Sequence, residues 1–323
     1  MNHSNSSLNT YLSCQRKFWH SYINKTERKP QFYPHLDFGT LAHEVLEKAG
    51  NLRDNIAAGI PDYDICIPSE LYRQDLKNYF GIKTWHSYFV RVCKQVVEYE
   101  RELTSSLTQY GEVQIEREIK LVANPADTGL SHPIVGVVDL LLYTKNHAII
   151  VDYKFSTKKK TQDDFDMNSQ LYLYAYLVNK NYNVPLHNIW VGYIDIPKQD
   201  FSQPALCNNG RLSRAKSQNI SKELYIEAIK IVHPDTWEQE IAPGGYYHDV
   251  LDEYAFNKSA YLSCQYLDED AYSYIIKDVM QTAQQIEILE QNNLPFLSKY
   301  DAYSCSSCEY VDKCKPWLGV NHD

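Results

Sequence analysis

The chain has 323 residues and a formal net charge of −9, with 44% hydrophobic and 23% charged residues. This composition is typical of a globular protein with one large domain or two modest ones. No run of 18 apolar residues is present and the first residues do not resemble a signal peptide, so we expect a cytoplasmic protein without a membrane segment. In a reducing compartment, eight cysteines indicate metal ligands or buried thiols rather than disulfides. The acidic balance argues against nonspecific polyanion binding but permits a local basic groove.

Hydrophobic periodicity predicts helices at both ends of the chain and a run of strands between them. The predicted helices are 7–24, which contains Cys14, 38–49 with Gly50 as its stop, one or two within 68–104, 163–180, and three near 221–232, 244–256 and 268–292. The predicted strands are 113–122, 134–143, 147–155 and 188–195. This order predicts a mixed α/β core at 111–200 between helical regions at 1–110 and 201–323, and not a doubly wound nucleotide-binding fold.

Two aspartates lie inside otherwise apolar strands, in the segments VVDLLL and IIVDY. If Lys145 and Asn146 form a two-residue hairpin turn, the residues before and after the turn pair symmetrically. Asp139 then lies opposite Asp152. Directly opposed residues have Cβ atoms ~5 Å apart, so two carboxylates there require a compensating cation. A three-residue turn would shift the register by one, so this inference depends on the length of the turn.

Lys154 adds a positive charge beside these carboxylates. Because side chains alternate along a strand, Asp152 and Lys154 share one face and Tyr153 points to the other. Two aspartates and a lysine suit metal-assisted phosphodiester hydrolysis, in which carboxylates bind Mg²⁺ or Mn²⁺ and the metal acidifies a water. The lysine would orient that water or stabilise the developing charge. The alternative is a structural salt bridge on an edge strand.

The segments GVVDLLLY, IIVDYKFS and NSQLYLYAYL resemble the core of PD-(D/E)XK nucleases. They are similar to the nuclease domains of RecB and AddB and to the nucleases of CRISPR adaptation. The resemblance implies a restriction-endonuclease-like core, a mixed central sheet flanked by helices. It implies that Asp139 and Asp152 are metal ligands, that Lys154 is the catalytic lysine, and that the main-chain carbonyl of Tyr153 is a further ligand.

Two other motifs extend the resemblance. FGTLAHEVLE is similar to the upstream helix motif of the family, which implies that His43 reaches the same metal. QLYLY matches the downstream Q-x-x-x-Y element, and Gln170 and Tyr174, four residues apart, would face the site from one helix. Glu116 or Glu118, which precede the core strands, could supply an additional outer carboxylate.

Near its end the chain carries Cys305, Cys308 and Cys314, spaced C-x2-C-x5-C. Tetrahedral zinc and cubane iron–sulfur sites both need four protein ligands, so one is missing. LNTYLSCQRKFWHSYI resembles the N-terminal motif of an iron–sulfur branch of this family, although Gln15 stands where relatives often have proline. The resemblance implies that Cys14 completes a [4Fe–4S] cluster that joins the two ends of the chain. Zinc stays the alternative because spacing does not distinguish the two. The other cysteines, Cys66, Cys93, Cys207 and Cys264, are expected to be buried small hydrophobes.

The catalytic lysine is followed by three more, Lys158, Lys159 and Lys160, which could draw DNA phosphates toward the metal. A second basic loop covers 210–216. Solvated surface is the alternative explanation for both.

The sequence therefore predicts a metal-dependent DNA nuclease with a [4Fe–4S] cluster, an exonuclease on single-stranded DNA ends. The iron–sulfur relatives favour 5′→3′ polarity. The sequence has no Walker motif, so a helicase or recombinase would be a separate partner. Recombination, repair, CRISPR adaptation and phage DNA metabolism all fit. The alternatives are a non-catalytic DNA-binding subunit that keeps the fold and cluster, and a structural zinc protein with an incidental D-x-K.

Overall fold

A computed structural model describes most of the chain. The described residues are 1–27, 33–55, 74–80, 82, 85–156, 161–198, 200–215, 218–253, 256–299 and 301–314. Within these ranges, no helix has the length and apolar character needed to cross a membrane.

A group of helices precedes the sheet. They are α1 (Asn5–Ser13), α2 (Gln15–Phe18) continued by a π-helical turn (Trp19–Ile23), α3 (Pro34–Asn55), α4 (Gln74–Phe80) and α5 (Trp85–Leu107) with a 3-10 turn (Thr108–Tyr110).

The remaining helices lie between or after the strands. They are α6 (Pro125–Thr128), α7 (Gln162–Asp166), α8 (Ser169–Tyr182), a 3-10 turn (Leu186–Asn188), α9 (Lys222–Val232), α10 (Trp237–Ile241), α11 (His248–Glu253), α12 (Glu269–Gln291), α13 (Ala302–Ser306) and α14 (Val311–Cys314).

The described strands form one sheet whose spatial order follows the chain. They are β1 (Gln114–Ala123), β2 (Ile134–Tyr143), β3 (Ala148–Ser156), β4 (Ile189–Pro197) and β5 (Tyr261–Tyr266). All neighbours are antiparallel except β3 and β4, which are parallel and are connected through α7 and α8. The predicted mixed α/β architecture is confirmed.

Helices cover both faces of the sheet, which explains why β3 and β4 are almost continuously apolar. On one face, residues of α1, α8 and α12 pack with Ile150 and Tyr193. On the other face, residues of α3, α4 and α5 pack with Val151 and Ile194. A smaller cluster around Tyr225, Ile229 and Tyr247 joins α9 to α11 beside the main core.

The structure corrects several predicted boundaries near the N-terminus. The first predicted helix is interrupted at Cys14, whose extended backbone (φ −163°, ψ 110°) separates α1 from α2. Helix α3 continues through Gly50 instead of ending there. The side chain of Arg117 occupies the space that a Cβ at Gly50 would need, so this glycine allows close packing rather than a helix end.

The other differences concern helix ends and a missed strand. Asn168 interrupts the helix predicted at 163–180, because its side chain accepts hydrogen bonds from the main-chain N–H groups of Gln170 and Leu171 and so begins α8. Within the predicted helix 244–256, the structure describes α11 and places residues 244–247 in turns before it, and residues 254–255 lie outside the described residues. Strand β5 was not predicted, since its half-exposed polar positions hide the strand pattern.

Candidate active site

The hairpin that carries both aspartates has the predicted turn. The main-chain N–H of Thr144 donates to the carbonyl of His147 at 2.9 Å, with Lys145 and Asn146 between them. The paired residues run outward from Tyr143–Ala148 to Leu140–Val151, which confirms the predicted register. The hydrogen-bonded ladder ends there, one step before Asp139 and Asp152. Asp139 also reaches the next residue of β3, because its Oδ2 accepts a hydrogen bond from the main-chain N–H of Tyr153 at 2.7 Å.

The departure from a regular ladder has a structural cause. Strands β1 and β2 pair at Arg117–Leu140 and again at Ile119–Val138, but Glu118 and Asp139 between them do not form a ladder pair. Glu118 has a positive φ of 47°, which is unusual for a residue with a side chain. Val138 belongs to one core cluster and Leu140 to the other, so β2 changes face at Asp139. The change of face frees the Asp139 side chain to reach across to β3.

Lys154 is held by two side chains. Its Nζ lies 2.6 Å from Oδ2 of Asp152 and donates to Oε1 of Gln170 at 2.8 Å. Nε2 of Gln170 in turn donates to the hydroxyl of Tyr174 at 2.7 Å. The structure thus brings together four predicted residues, two from β3 and two from α8. Because the Asp152 side chain is 3% exposed, its contact with Lys154 is poorly screened by water.

His43 approaches the aspartates from α3. Its Nδ1 lies 3.6 Å from Oδ1 of Asp139, and its ring packs edge-on against Phe155. Burial and the charge of Lys154 lower the pKa of His43 to about 4. The imidazole is therefore neutral near pH 7, which is the form that binds metal ions.

The aspartates carry unfavourable negative charge. Burial and the nearby Asp152 raise the pKa of Asp139 well above its usual value, although the Tyr153 N–H and Lys154 act in the opposite direction. Two carboxylates and a neutral imidazole form a donor set that suits Mn²⁺ or Mg²⁺, and a cation would relieve the repulsion. Among the described residues, no three His, Cys, Asp or Glu side chains are already placed to hold a metal ion. The chemistry of the donors fits a divalent ion, and the side chains would have to close around it.

The two glutamates of β1 have different surroundings. Glu116 accepts hydrogen bonds from the hydroxyls of Tyr143 and Tyr182, at 2.7 and 2.8 Å, away from the aspartates. Glu118 lines a narrow pocket with His43 and Asp139, and burial and Glu47 raise its pKa. Of the two candidates for an outer carboxylate, Glu118 is the one beside the aspartates.

The family model of the PD-(D/E)XK nuclease superfamily matches residues 2–315, nearly the whole chain. This chain belongs to the PD-(D/E)XK nuclease superfamily. Enzymes of this superfamily generally use Mg²⁺ or Mn²⁺. The family match and the sheet with helices on both faces agree with each other.

Two solved structures are similar to the chain at low identity. One is a protein from Eubacterium rectale described provisionally as an exonuclease, with 9% identity and a TM-score of 0.46, covering 100% of this chain and 90% of that one. The other is the protein SSO0001, with 12% identity and a TM-score of 0.25, covering 84% of this chain and 93% of that one. No curated protein matches the chain.

This nuclease has three buried residues near the aspartates that the sequence did not indicate. Asp195 of β4 lies beside Lys154 in the parallel register and is 2% exposed. Its one sequence signal is that it interrupts the apolar run of β4. Glu100 and Arg117 form a buried ion pair below Tyr153. No local pattern identifies this pair, because its members are 17 positions apart.

The four terminal cysteines lie near one another. Cys14, Cys305, Cys308 and Cys314 are each partly buried. Burial raises the pKa of Cys308 and of Cys314, and the neighbouring thiols, Cys14 among them, add to the rise. Four thiols are a donor set that suits iron–sulfur or zinc. They are not placed as a ready metal site within the described residues.

Ordinary contacts hold the two ends of this nuclease together around these thiols. Lys17 and Glu309 form an ion pair at 3.0 Å, and the ring of His20 stacks on Tyr310 with centroids 5.1 Å apart. The main-chain N–H of Arg16 donates to the carbonyl of Leu297 at 2.9 Å. The first and last described segments therefore contact each other directly, and these contacts do not depend on a group bound by the cysteines.

The expectation that the remaining cysteines are buried holds for one of them and not for two others. Cys93 is buried, but Cys207 is exposed because it lies in a surface turn. Cys264 is exposed as a residue on the edge strand, although burial of its thiol raises its pKa to about 12. Cys66 lies outside the described residues.

The two basic segments that were predicted to contact DNA are the lysines after β3 and the loop at 210–216. Lys158, Lys159 and Lys160 lie outside the described residues. In the loop at 210–216, the guanidinium groups of Arg211 and Arg214 lie over the ring of Tyr246, at 4.1 and 5.1 Å. The same groups approach carboxylates at 3.5 and 3.6 Å. These contacts favour a structural role for this loop.

Proposed function

We propose that the chain is a metal-dependent deoxyribonuclease, an exonuclease that acts on single-stranded DNA ends. The observation that carries this proposal is the arrangement of Asp139, Asp152 and Lys154, with the lysine held by Gln170. A binding module would gain nothing from two mutually repelling buried carboxylates, since that arrangement destabilises the folded chain.

The metal ligands in this proposal are the carboxylates of Asp139 and Asp152, the imidazole of His43 and the main-chain carbonyl of Tyr153. A bound Mg²⁺ or Mn²⁺ supplies Lewis acidity and lowers the pKa of a coordinated water. Lys154 orients the attacking water or stabilises the negative charge that develops on the phosphate. Gln170, fixed by Tyr174, keeps the ammonium group from turning away into solvent.

The 5′→3′ polarity and the preference for single-stranded ends follow the resemblance to the iron–sulfur relatives. Lys158, Lys159 and Lys160 follow β3 directly in the sequence, so they would contact phosphates beside the metal. A helicase or recombinase that exposes the DNA end would be a separate protein. The setting would be recombination, repair, CRISPR adaptation or phage DNA metabolism.

A [4Fe–4S] cluster held by Cys14, Cys305, Cys308 and Cys314 completes the proposal. The meeting of the two chain ends supports it. Joining Cys14 to Cys305 closes a loop of about 290 residues, and the chain-entropy estimate for such a crosslink is about 5–6 kcal/mol as an upper guide. The cluster would act as a clasp and take no part in hydrolysis.

The test is incubation of purified protein with single-stranded DNA labelled at either end, in Mn²⁺, Mg²⁺, Ca²⁺ or EDTA. We expect mononucleotide or short products in Mn²⁺ at a rate at least equal to that in Mg²⁺, because imidazole suits Mn²⁺ better. Ca²⁺ should bind without supporting turnover. Equal degradation in EDTA would refute the metal mechanism.

Two further measurements separate the alternatives. DNA binding without cleavage in every metal would identify a non-catalytic subunit. Iron and sulfide analysis after anaerobic purification decides the nature of the clasp, and a colourless protein with stoichiometric zinc would refute the iron–sulfur assignment. The direction of degradation follows from which label, the one at the 5′ end or the one at the 3′ end, is released first.

A further inference from the structure

A buried polar network lies beneath the candidate metal site. Tyr153 stands between Asp152 and Lys154 on β3, and its ring lies on the opposite face of the sheet, in the second core cluster. The Tyr153 hydroxyl donates to Oε1 of Glu100 at 3.3 Å. The other carboxylate oxygen of Glu100 accepts from Nη2 of Arg117 at 2.8 Å, and both of these side chains are 4% exposed.

The network connects elements that surround the aspartates. Glu100 comes from α5, Arg117 from β1 and Tyr153 from β3. Arg117 also packs against Gly50 of α3, the helix that carries His43. Arg117 directly precedes Glu118, where β1 leaves its regular pairing with β2. A buried ion pair tolerates little displacement, because separating the charges in a dry environment is costly.

The main chain of Tyr153 is the link between this network and the site. Its N–H holds Asp139 at 2.7 Å. A shift of the Tyr153 backbone would therefore move Asp139 and the main-chain carbonyl together. Anchoring the phenol on the opposite face limits such a shift, in the way that outer-shell hydrogen bonds fix metal ligands.

We infer that Glu100, Arg117 and Tyr153 form a positioning network that fixes the Tyr153 main chain and, through it, the ligands of the catalytic metal. This inference rests on the proposed function for the identity of the metal site. The three side chains act in this proposal through the Tyr153 main chain, so they are positioning residues rather than catalytic ones.

A second tyrosine–glutamate pair provides a matched control. The hydroxyl of Tyr143 donates to Oε1 of Glu116 at 2.7 Å in the same sheet. That pair lies on the α8 side, where Tyr182 also donates to Glu116, and makes no hydrogen bond to the aspartates among the described contacts. Replacing either tyrosine by phenylalanine removes one hydroxyl and preserves the packed ring.

The experiment compares Tyr153→Phe, Tyr143→Phe and wild type in the full chain. Mn²⁺ binding is measured by isothermal titration calorimetry without DNA, and kcat and KM are measured on single-stranded DNA. For Tyr153→Phe we expect the Kd for Mn²⁺ to rise and kcat to fall by about 10-fold each, with KM for DNA unchanged. Tyr143→Phe should bind Mn²⁺ and cleave as wild type does.

The Arg117→Lys variant adds an intermediate case. It retains a charge for Glu100 but not the paired guanidinium geometry, so its Mn²⁺ affinity should lie between those of wild type and Tyr153→Phe. A Tyr153→Phe protein with wild-type Kd for Mn²⁺ overturns the inference. Equal losses in Tyr153→Phe and Tyr143→Phe overturn it as well, since the effect would then be general.

The two proposals fail in different ways. If wild type binds Mn²⁺ but does not cleave DNA, the proposed function is wrong, and calorimetry on Tyr153→Phe still decides the positioning role. If wild type does not bind Mn²⁺, both proposals are wrong.

Discussion

The sheet site and the cysteine end are built differently. At the sheet site, Lys154 is linked to Asp152 and Gln170 at 2.6 and 2.8 Å, and Asp139 accepts a hydrogen bond from the main chain of Tyr153 at 2.7 Å. At the cysteine end, four partly buried thiols lie near one another, and the links between the chain ends come from neighbouring residues. In the first region the functional side chains contact one another directly, whereas in the second the described contacts are made mostly by residues around the cysteines. In the proposed function, a metal ion would take part in hydrolysis at the sheet, whereas a cluster at the termini would contribute only stability.

The N-terminal segment is also tied by a histidine contact that needs no metal. His3 is completely buried, and its Nε2 lies 3.0 Å from Oε1 of Glu287 on α12. The main-chain N–H groups of Ser131 and His132 also donate to Glu287, each at 2.8 Å. This contact fixes the first residues of the chain without the cysteines, so its contribution to stability is separable by experiment from that of the proposed cluster.

Asp139→Asn should give the largest change at the sheet site. Asparagine still accepts the Tyr153 N–H but carries no charge, so we expect cleavage to fall at least about 100-fold and Mn²⁺ binding to weaken. In the absence of metal, the melting temperature should rise, because burial and Asp152 disfavour the charged carboxylate. Calorimetry and thermal melting check both parts. The exposed Asp127→Asn variant is the control, and equal cleavage by both variants would exclude Asp139 as a ligand.

Cys14→Ala and Cys308→Ala should produce the largest loss of stability. Each is expected to lose the brown colour and up to about 5–6 kcal/mol of unfolding free energy. Any folded protein should keep metal-dependent cleavage, because the cysteines do not bind the catalytic metal in this account. The measurement combines absorbance spectra with denaturant unfolding. Cys207→Ala, at an exposed cysteine, should change neither, and a Cys14→Ala protein as stable as this control would refute the clasp.

Arg117→Met should cost about 3–5 kcal/mol of unfolding free energy, because it leaves Glu100 buried without this guanidinium. The control is Lys48→Met, which breaks an ion pair with Glu44 whose side chains are 43% and 45% exposed. That loss should be about 0.5 kcal/mol or less. Urea unfolding measures both. Equal losses would contradict a buried, tightly coupled network.

Acidification gives the smallest effect and tests the His3 contact. Burial lowers the pKa of His3 from 6.5, although Glu287 acts to raise it. Burial acts to raise the pKa of Glu287, but hydrogen bonds from Ser131, His3 and His132 outweigh it and lower the pKa below 4.5. In both cases the unfolded chain binds protons first as the pH falls, so stability should decrease below about pH 6.5 and again below about pH 4.5.

Comparison of melting curves between pH 8 and pH 4 isolates this contribution. His3→Gln should melt at a lower temperature at pH 8 and lose less on acidification to pH 5 than wild type does. His187→Gln, at an exposed position, should follow the wild-type curve. A wild-type curve identical in slope to that of His3→Gln would show that His3 does not contribute.

The contacts that the sequence predicted are those governed by local rules. A two-residue turn determines the hairpin register, and the i to i+4 spacing of Gln170 and Tyr174 places both on one face of α8. The hydrogen bond that Asp139 accepts from the Tyr153 main chain was not predictable, since it accompanies an irregularity of the neighbouring strand, where Glu118 has a positive φ. The continuation of α3 through Gly50 depends on Arg117, which is distant in sequence. The pairing of Glu100 with Arg117 is equally non-local.

The most direct test of the account is DNA cleavage by Lys154→Met compared with Lys180→Met. Lys154 contacts α8 through Gln170, whereas Lys180 lies in the last turn of α8, roughly 15 Å from Gln170. In Mn²⁺, wild type and Lys180→Met should degrade end-labelled single-stranded DNA at similar rates. Lys154→Met should be inactive while retaining the wild-type DNA affinity, and its melting temperature should fall because the buried Asp152 carboxylate loses this ammonium group. A purified Lys154→Met protein that degrades DNA at the wild-type rate would contradict the account.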